Sequence, residues 1–420
     1  MSTIEEVYVV HHSHTDIGYT HDQPTVWELQ RRFIDRAIEL AERDESKNAP
    51  ESFEWTVETT GPLLRWLETA SERQLERFVS LEEQGRIEVT GMLGNLTPLY
   101  DQTEFVETLR PIARLREEYG FDVRTAMNGD VNGHNWPLVD RLLDAGIEGF
   151  SMAINRHWGR APLERPLAFR WEGPSGRTLP TYSGFQYGGG YNLGIGRDID
   201  ELRGRWWPRV RNYLESIDYP LPILLIQTTH PFFDNNPPLE RLPEFVREWN
   251  ESLADGDEDD ENLPRLRIAT PAEWWDAVDD HEEKLPVHRG DWTDFWNFGT
   301  ITSARETAIN RESRRRLVTA DAVEAALTGL GADAGDRPPS RRSRPDQRGE
   351  AWWSLAFYDE HTWGADVSVE HPEDDDTRAQ WNHKANEAYE ARSLSTLQRR
   401  DAVAELARRV RPGTEGGAVD

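Results

Sequence analysis

Four short stretches of this chain collect side chains able to bind a metal or move a proton. The first is His11-His12-Ser13-His14-Thr15-Asp16, directly after an apolar run. Alternate residues of an extended backbone share a face, so His12, His14 and Asp16 point the same way. Imidazoles and a carboxylate converging at about 2.0–2.2 Å suit zinc, and a polar strand end with hydrogen-bonded histidines uses the same residues. The second stretch, Met127 to Pro137, carries Asp130 where a strand gives way to a Gly-containing loop and then a helix. Strand ends open onto the catalytic face of α/β barrels, and an Asx turn or helix cap is the alternative role for such an aspartate. In the third, Thr228 to Pro238, His230 or Asp234 either supplies a proton or fixes the loop. The fourth, Trp352 to Gly364, sets an acidic pair and His361 among aromatic rings, which reads as a helix end or a site.

Short apolar runs and amphipathic stretches alternate from Val7 to about Val287, the rhythm of βαβ units with a parallel sheet. Strands are expected at Val7–Val10, Phe53–Val57, Arg86–Val89, Arg124–Met127, Leu221–Gln227 and Ile268–Thr270. Helices are expected at Thr25–Glu42, Leu63–Phe78, Phe105–Tyr119, Pro137–Ala145, Leu242–Leu253 and Pro271–Val278. An acidic surface loop is expected over 255–262. Beyond Trp296 the pattern becomes helical, over Ser303–Leu330, Glu350–Phe357 and Ala379–Arg409, with a Pro-, Arg- and Ser-rich linker over 332–348. The expected division is a catalytic domain over 1–288, a helical, three-helix bundle-like domain over 289–411 and a tail over 412–420.

The formal charge of −29 disfavours nucleic acid, anionic membranes and polyanionic substrates as partners. The 17 Trp, 14 Phe and 11 Tyr supply ample core surface and argue against disorder as the meaning of that charge. Only Lys47, Lys284 and Lys384 among the 48 basic residues are lysine. High charge density with scarce lysine reads as a folded halophilic protein whose self-repulsion is screened by salt. With no cysteine there are no disulfides, thiolate metal sites or cysteine nucleophiles, so a metal must sit on His, Asp or Glu. Neither a basic leader nor an apolar run of about 18 residues is found, so a cytoplasmic protein is expected.

His12, His14, Asp16, Gly18 and Tyr19 resemble the His-x-His-x-Asp-x-Gly-aromatic signature of family 38 of the glycoside hydrolases, the α-mannosidases. The resemblance continues in order through Asp130, Gly133 and His134, then Gly290 to Ser303 with Arg305 and Arg311, and ends in Trp352 to Gly364. It implies a seven-stranded (β/α) barrel-like domain followed by a small helical bundle. It also implies one Zn2+ held by His14, Asp16, Asp130 and His361. Asp130 would double as nucleophile, and Asp234 would serve as general acid/base on an α-linked glycoside. Retaining glycosidases need two carboxyl groups about 5–5.5 Å apart, one attacking and one protonating the leaving oxygen. Flat rings pack on apolar sugar faces, which makes Trp55, Phe232, Trp292, Trp296 and Trp363 candidates for substrate contact, joined by His134 and His230. His12, His134 and His230 also fit supporting roles.

Three positions depart from the family pattern. Met92 to Leu96 replaces a Trp-containing stretch, Asn297 stands where a His is common, and Thr362 follows His361 where an Asp is usual. The last change removes an expected support for His361. Known α-mannosidases continue into β-rich domains, so a partner subunit or homo-oligomer, or a more open site, is expected here. Two other readings use the same residues: a metal-dependent carbohydrate deacetylase, with a zinc-activated water, and a non-catalytic sugar-binding protein that keeps the metal for structure.

Overall fold

A computed structural model describes residues 4–46, 48–131, 133–155, 166–231, 234–254, 263–292, 296–331 and 346–410. Its strands are β1 (Glu6–His11), β2 (Trp55–Val57), β3 (Ile87–Val89), β4 (Thr125–Asp130), β5 (Gly149–Ile154), β6 (Ala168–Glu172), β7 (Thr178–Gly184), β8 (Ile223–Thr228), β9 (Arg265–Ala269) and β10 (Val287–Arg289). β1 lies between β8 and β9, parallel to both, with Val10 opposite Gln227 and Val9 opposite Ile268. A strand covered on both faces needs a nearly continuous apolar run, and Val7, Val9, Val10 and Leu224 to Ile226 are all buried. β2 and β3 pair in parallel, and the bridge His12 to Thr56 ties β2 to the end of β1. The third sheet runs β10-β6-β7-β5-β4.

The α/β region is therefore present with a mixed rather than a wholly parallel sheet arrangement, and its described strands bond in three sheets and do not form one closed seven-stranded ring. Part of the reason is an antiparallel hairpin, β6 to β7, whose turn is closed by Gly173 N–H on the Arg177 carbonyl at 2.8 Å oxygen distance. A hairpin interrupts the βαβ alternation that the sequence rhythm implies. The expected helix Leu63–Phe78 divides into Thr60–Leu67 and Glu72–Glu83, because Ser71 and Gln74 form a capping box that starts a new helix.

Beyond residue 303 three helices, Ala304–Gly329, Gln347–Asp359 and Asp375–Arg409, share an apolar contact through Leu317, Trp352, Leu355 and Ala391. Residues 332–345 of the expected linker lie outside the described residues, as do the 255–262 loop and the 412–420 tail. Gln347 and Arg348 are helical rather than linker, and Arg348 donates to both carboxylate oxygens of Glu107 at 2.9 and 2.6 Å. Arg314 joins the first of these helices to the α/β region: it contacts Glu104 and donates to Asp359 Oδ2 at 2.8 Å and to the Leu99 carbonyl at 3.1 Å. Among the described residues no helix is long and apolar enough to cross a membrane.

Candidate metal centre

His14, Asp16, Asp130 and His361 come together, one ligand atom from each lying within 4.8 Å of all the others, and all four are buried. β1 runs out into His14 and Asp16, β4 ends on Asp130, and the helix Gln347–Asp359 stops two residues before His361. Asp16 Oδ1 lies 3.3 Å from His14 Nε2 and 2.9 Å from His361 Nε2, and Asp130 Oδ2 is 3.5 Å from His361 Nε2. Asp130 has φ 63°, in the left-handed region, where aspartate is tolerated better than most residues. Asn155 holds its other oxygen, donating from Nδ2 to Oδ1 at 2.5 Å.

The ligand side chains are themselves held by a buried polar shell. Glu58 Oε1 lies 3.0 Å from His14 Nδ1, and Oε2 accepts from Thr15 N–H at 2.7 Å. Asn95 donates to that same oxygen and to the Thr15 carbonyl, each at 3.1 Å, while its own side-chain oxygen accepts from Gly129 N–H at 2.8 Å. Its backbone carbonyl accepts from His361 N–H at 2.8 Å. Gly129 is required by space, since a Cβ there would stand 2.8 Å from Glu58 Oε1 and from His14 Cε1.

Glu360 Oε1 lies 2.8 Å from His361 Nδ1 and accepts from Thr362 Oγ1 at 2.7 Å. The support that the sequence comparison sought at position 362 therefore comes from the residue before His361, with Thr362 serving Glu360. The departure at Met92 to Leu96 likewise places a buried tie, Asn95, beneath two ligands.

Burial opposes charge on His14, yet Glu58 and Asp16 raise its basicity well above that of an ordinary imidazole. Burial acts the same way on His361, and Glu360 reverses it. Burial would raise the Asp16 carboxyl, but His14 and His361 hold it below the ordinary carboxylate range. The cluster thus attracts positive charge. His14 Nε2 is buried without a hydrogen-bond partner, with Nδ1 turned to Glu58, so its lone pair is aimed at the cluster centre. Two imidazoles and two carboxylates with one such unpartnered nitrogen fit a divalent ion of the zinc type.

Asp234 pairs with His14 in a parallel bridge, and Oδ1 accepts from Tyr187 O–H at 2.6 Å. Burial and the neighbouring Asp16 charge push its carboxyl up to about 7, enough to keep a proton near neutrality. Tyr187 also stacks on His14, with ring centroids 3.7 Å apart. Asn235 fixes the backbone between these groups, donating to the Asp16 carbonyl at 2.9 Å and accepting from Gln30 at 2.9 Å.

The other candidates are placed unequally. Trp55 is a core residue, 3% exposed with its ring edge-on to His11, which leaves no open face for a sugar. His134 is likewise enclosed, 2.9 Å from Asn128 Nδ2 and against the Phe150 ring. Trp292 packs on Phe169 and Trp171 in the core. Trp296 is buried beside the cluster and donates to the His361 carbonyl at 2.9 Å, a support rather than a platform. Trp363 is half-buried and His230 is partly buried, with burial lowering the His230 basicity. Phe232 lies outside the described residues. His12 is fully buried, 3.6 Å from Glu58, and burial favours its neutral form.

Sequence reading missed Glu58, Asn95, Tyr187 and Asn155 altogether. Each stands alone in its segment without a motif, and only the fold brings it to the ligands.

In this α/β chain, strand ends and a following helix converge on two histidines and two aspartates, a donor set that could hold a metal ion. Residues 5–291 match the N-terminal domain of the glycosyl hydrolases family 38, and the chain belongs to that family. Its structure is similar to that of an alpha-mannosidase from Enterococcus faecalis, with TM-score 0.70 and 16% identity, covering 96% of this chain and 43% of that one. A second family 38 protein from the same organism gives TM-score 0.59 and 16% identity over 97% of this chain and 41% of that one. A 4-alpha-glucanotransferase from Thermococcus litoralis is similar at TM-score 0.51 and 14% identity, over 91% and 60%. At these identities the likeness is one of fold. The chain spans less than half the length of the two Enterococcus faecalis proteins. No curated protein matches it in sequence.

Proposed function

We propose that the chain is a zinc-dependent retaining glycosidase that cleaves an α-linked glycoside, with α-mannosides as the first substrates to test. The observation that carries this reading is the buried cluster His14, Asp16, Asp130 and His361, with the further carboxyl Asp234 bridged to His14 and held by Tyr187 beside it. His14, Asp16, Asp130 and His361 would hold the ion. When bound, zinc supplies a Lewis acid and a template for vicinal sugar hydroxyls.

The chemistry on the protein side falls to the two aspartates. Asp130, oriented by Asn155, attacks the anomeric carbon as the bond to the leaving oxygen breaks. Asp234 gives that oxygen its proton, then removes one from the water that releases the sugar from Asp130. Tyr187 occupies Asp234 Oδ1, which leaves Oδ2 to carry the proton. The formal charge of −29 supports a protein adapted to strong salt, so assays belong in molar KCl.

The test follows 4-nitrophenyl α-mannoside hydrolysis by NMR in molar KCl with one equivalent of Zn2+. The expected result is release of the α-anomer first, before mutarotation. Release of the β-anomer first would contradict the retaining mechanism, and inertness towards every α-glycoside tried would contradict the enzyme reading.

A further inference from the structure

We infer that Lys384, in the helix Asp375–Arg409, is a positioning residue that sets the metal ligand His361 through Glu360; the inference rests on the metal-site reading above. Lys384 is only 5% exposed, and its ammonium donates to the Phe357 carbonyl at 3.0 Å, the Glu360 carbonyl at 2.6 Å and Glu360 Oε2 at 3.2 Å. Those three acceptors use all three of its donors. The opposite oxygen of Glu360 faces His361 Nδ1 at 2.8 Å. On the far side of His361, the Trp363 ring lies over the same ammonium, 4.6 Å from the ring centre. One cation thus grips the residues that flank His361 on both sides.

The residue type fits the task. Phe357 and Glu360 belong to the end of the helix Gln347–Asp359, where carbonyls lack intrahelical partners and a cation is favoured. Acceptors gathered around a single nitrogen suit a compact ammonium, whereas a guanidinium spreads its donors over a planar fork. A chain that otherwise takes arginine at nearly every basic position has lysine here. Without this charge the wholly buried Glu360 keeps, among the described residues, no cationic side chain in ion-pair contact except His361, and the carboxylate is free to pull the imidazole away from Asp16 and Asp130.

The experiment titrates Co2+ into the metal-stripped full chain and reads its visible absorption and its affinity by chelator competition, with circular dichroism to confirm folding. Lys384→Met is expected to weaken Co2+ binding by about 10- to 100-fold, the usual effect of losing a group that supports a ligand, and to change the band shape. Lys384→Arg is expected to recover only part of the loss. In a Glu360→Gln background, Lys384→Met is expected to add little, because the two act through one contact. Wild-type affinity and spectrum in a folded Lys384→Met overturn the inference alone. Should Lys384→Met fail to fold, wild-type affinity and spectrum in a folded Lys384→Gln do the same. A wild-type chain that takes up no Co2+ overturns the metal-site reading and this inference with it.

Discussion

At the scale of single residues, the site divides two aspartates by their surroundings. Asp130 sits against His361 within the cluster, and Asp234 sits in a largely buried loop contact with Tyr187. Asp130→Asn is expected to abolish turnover and weaken Zn2+ binding together, because one carboxylate performs both tasks; calorimetric Zn2+ titration beside an activity assay checks this. Asp234→Ala is expected to leave Zn2+ binding nearly intact and to slow substrates with poor leaving groups by about 100-fold or more, while activated nitrophenyl substrates lose least. Equal losses across leaving groups would remove Asp234 from the acid role. His14, Asp16, Asp130 and His361 were named together through the resemblance to family 38, since their segments alone read equally as polar strand ends, a turn or a helix end. Glu58 and Asn95 were not, since a lone carboxylate and a lone amide carry no signal until packing brings them to Thr15 and His361.

At the scale of elements, β4 delivers Asp130 only because its penultimate residue has no side chain. Gly129→Ala places a methyl group against Glu58 and His14, and the expected result is loss of metal affinity together with about 1–3 kcal/mol of stability. Thermal melts with and without Zn2+ measure both. β3 carries a different load: burial pushes the Glu88 carboxyl up to about 7 although Thr125 and the Ala272 N–H donate to it. A carboxyl whose folded pKa exceeds its unfolded value contributes stability fully present below the unfolded value, near 4.5, and lost as pH rises through about 7. Glu88→Gln is therefore expected to gain stability relative to the wild type between pH 5 and pH 8, measured by the difference in urea midpoints at the two ends; an unchanged difference would show that Glu88 ionises freely. The apolar runs of β1 and β8 were plain in the sequence because both are covered on two faces. β5, β6, β7 and β10 escaped notice: the hairpin β6–β7 breaks the βαβ rhythm beside β5, and β10 is three residues long with an exposed valine.

At the scale of the whole molecule, the chain joins an α/β region that supplies three ligands to helices that hold the fourth. Arg314, bound to Glu104 and Asp359, crosses that junction two residues from His361, and Lys384, bound to Glu360, ties two of the helices together beside it. The change from alternating to helical pattern near Trp296 was visible in the sequence, whereas these buried pairs were not, because they join residues far apart in the chain. A formal charge of −29 makes salt a structural variable, and the unfolding temperature is expected to rise steeply from 0.1 M to 2 M KCl. A flat response would remove the high-salt reading. The central claim is that His361 completes a metal site on which glycoside cleavage depends. Zn2+ content and 4-nitrophenyl α-mannoside cleavage, measured together in molar KCl for the wild type and His361→Ala, test it most directly. One Zn2+ per chain in the wild type, lost in the variant along with cleavage, is the predicted result. Full Zn2+ retention and undiminished cleavage in His361→Ala would contradict it.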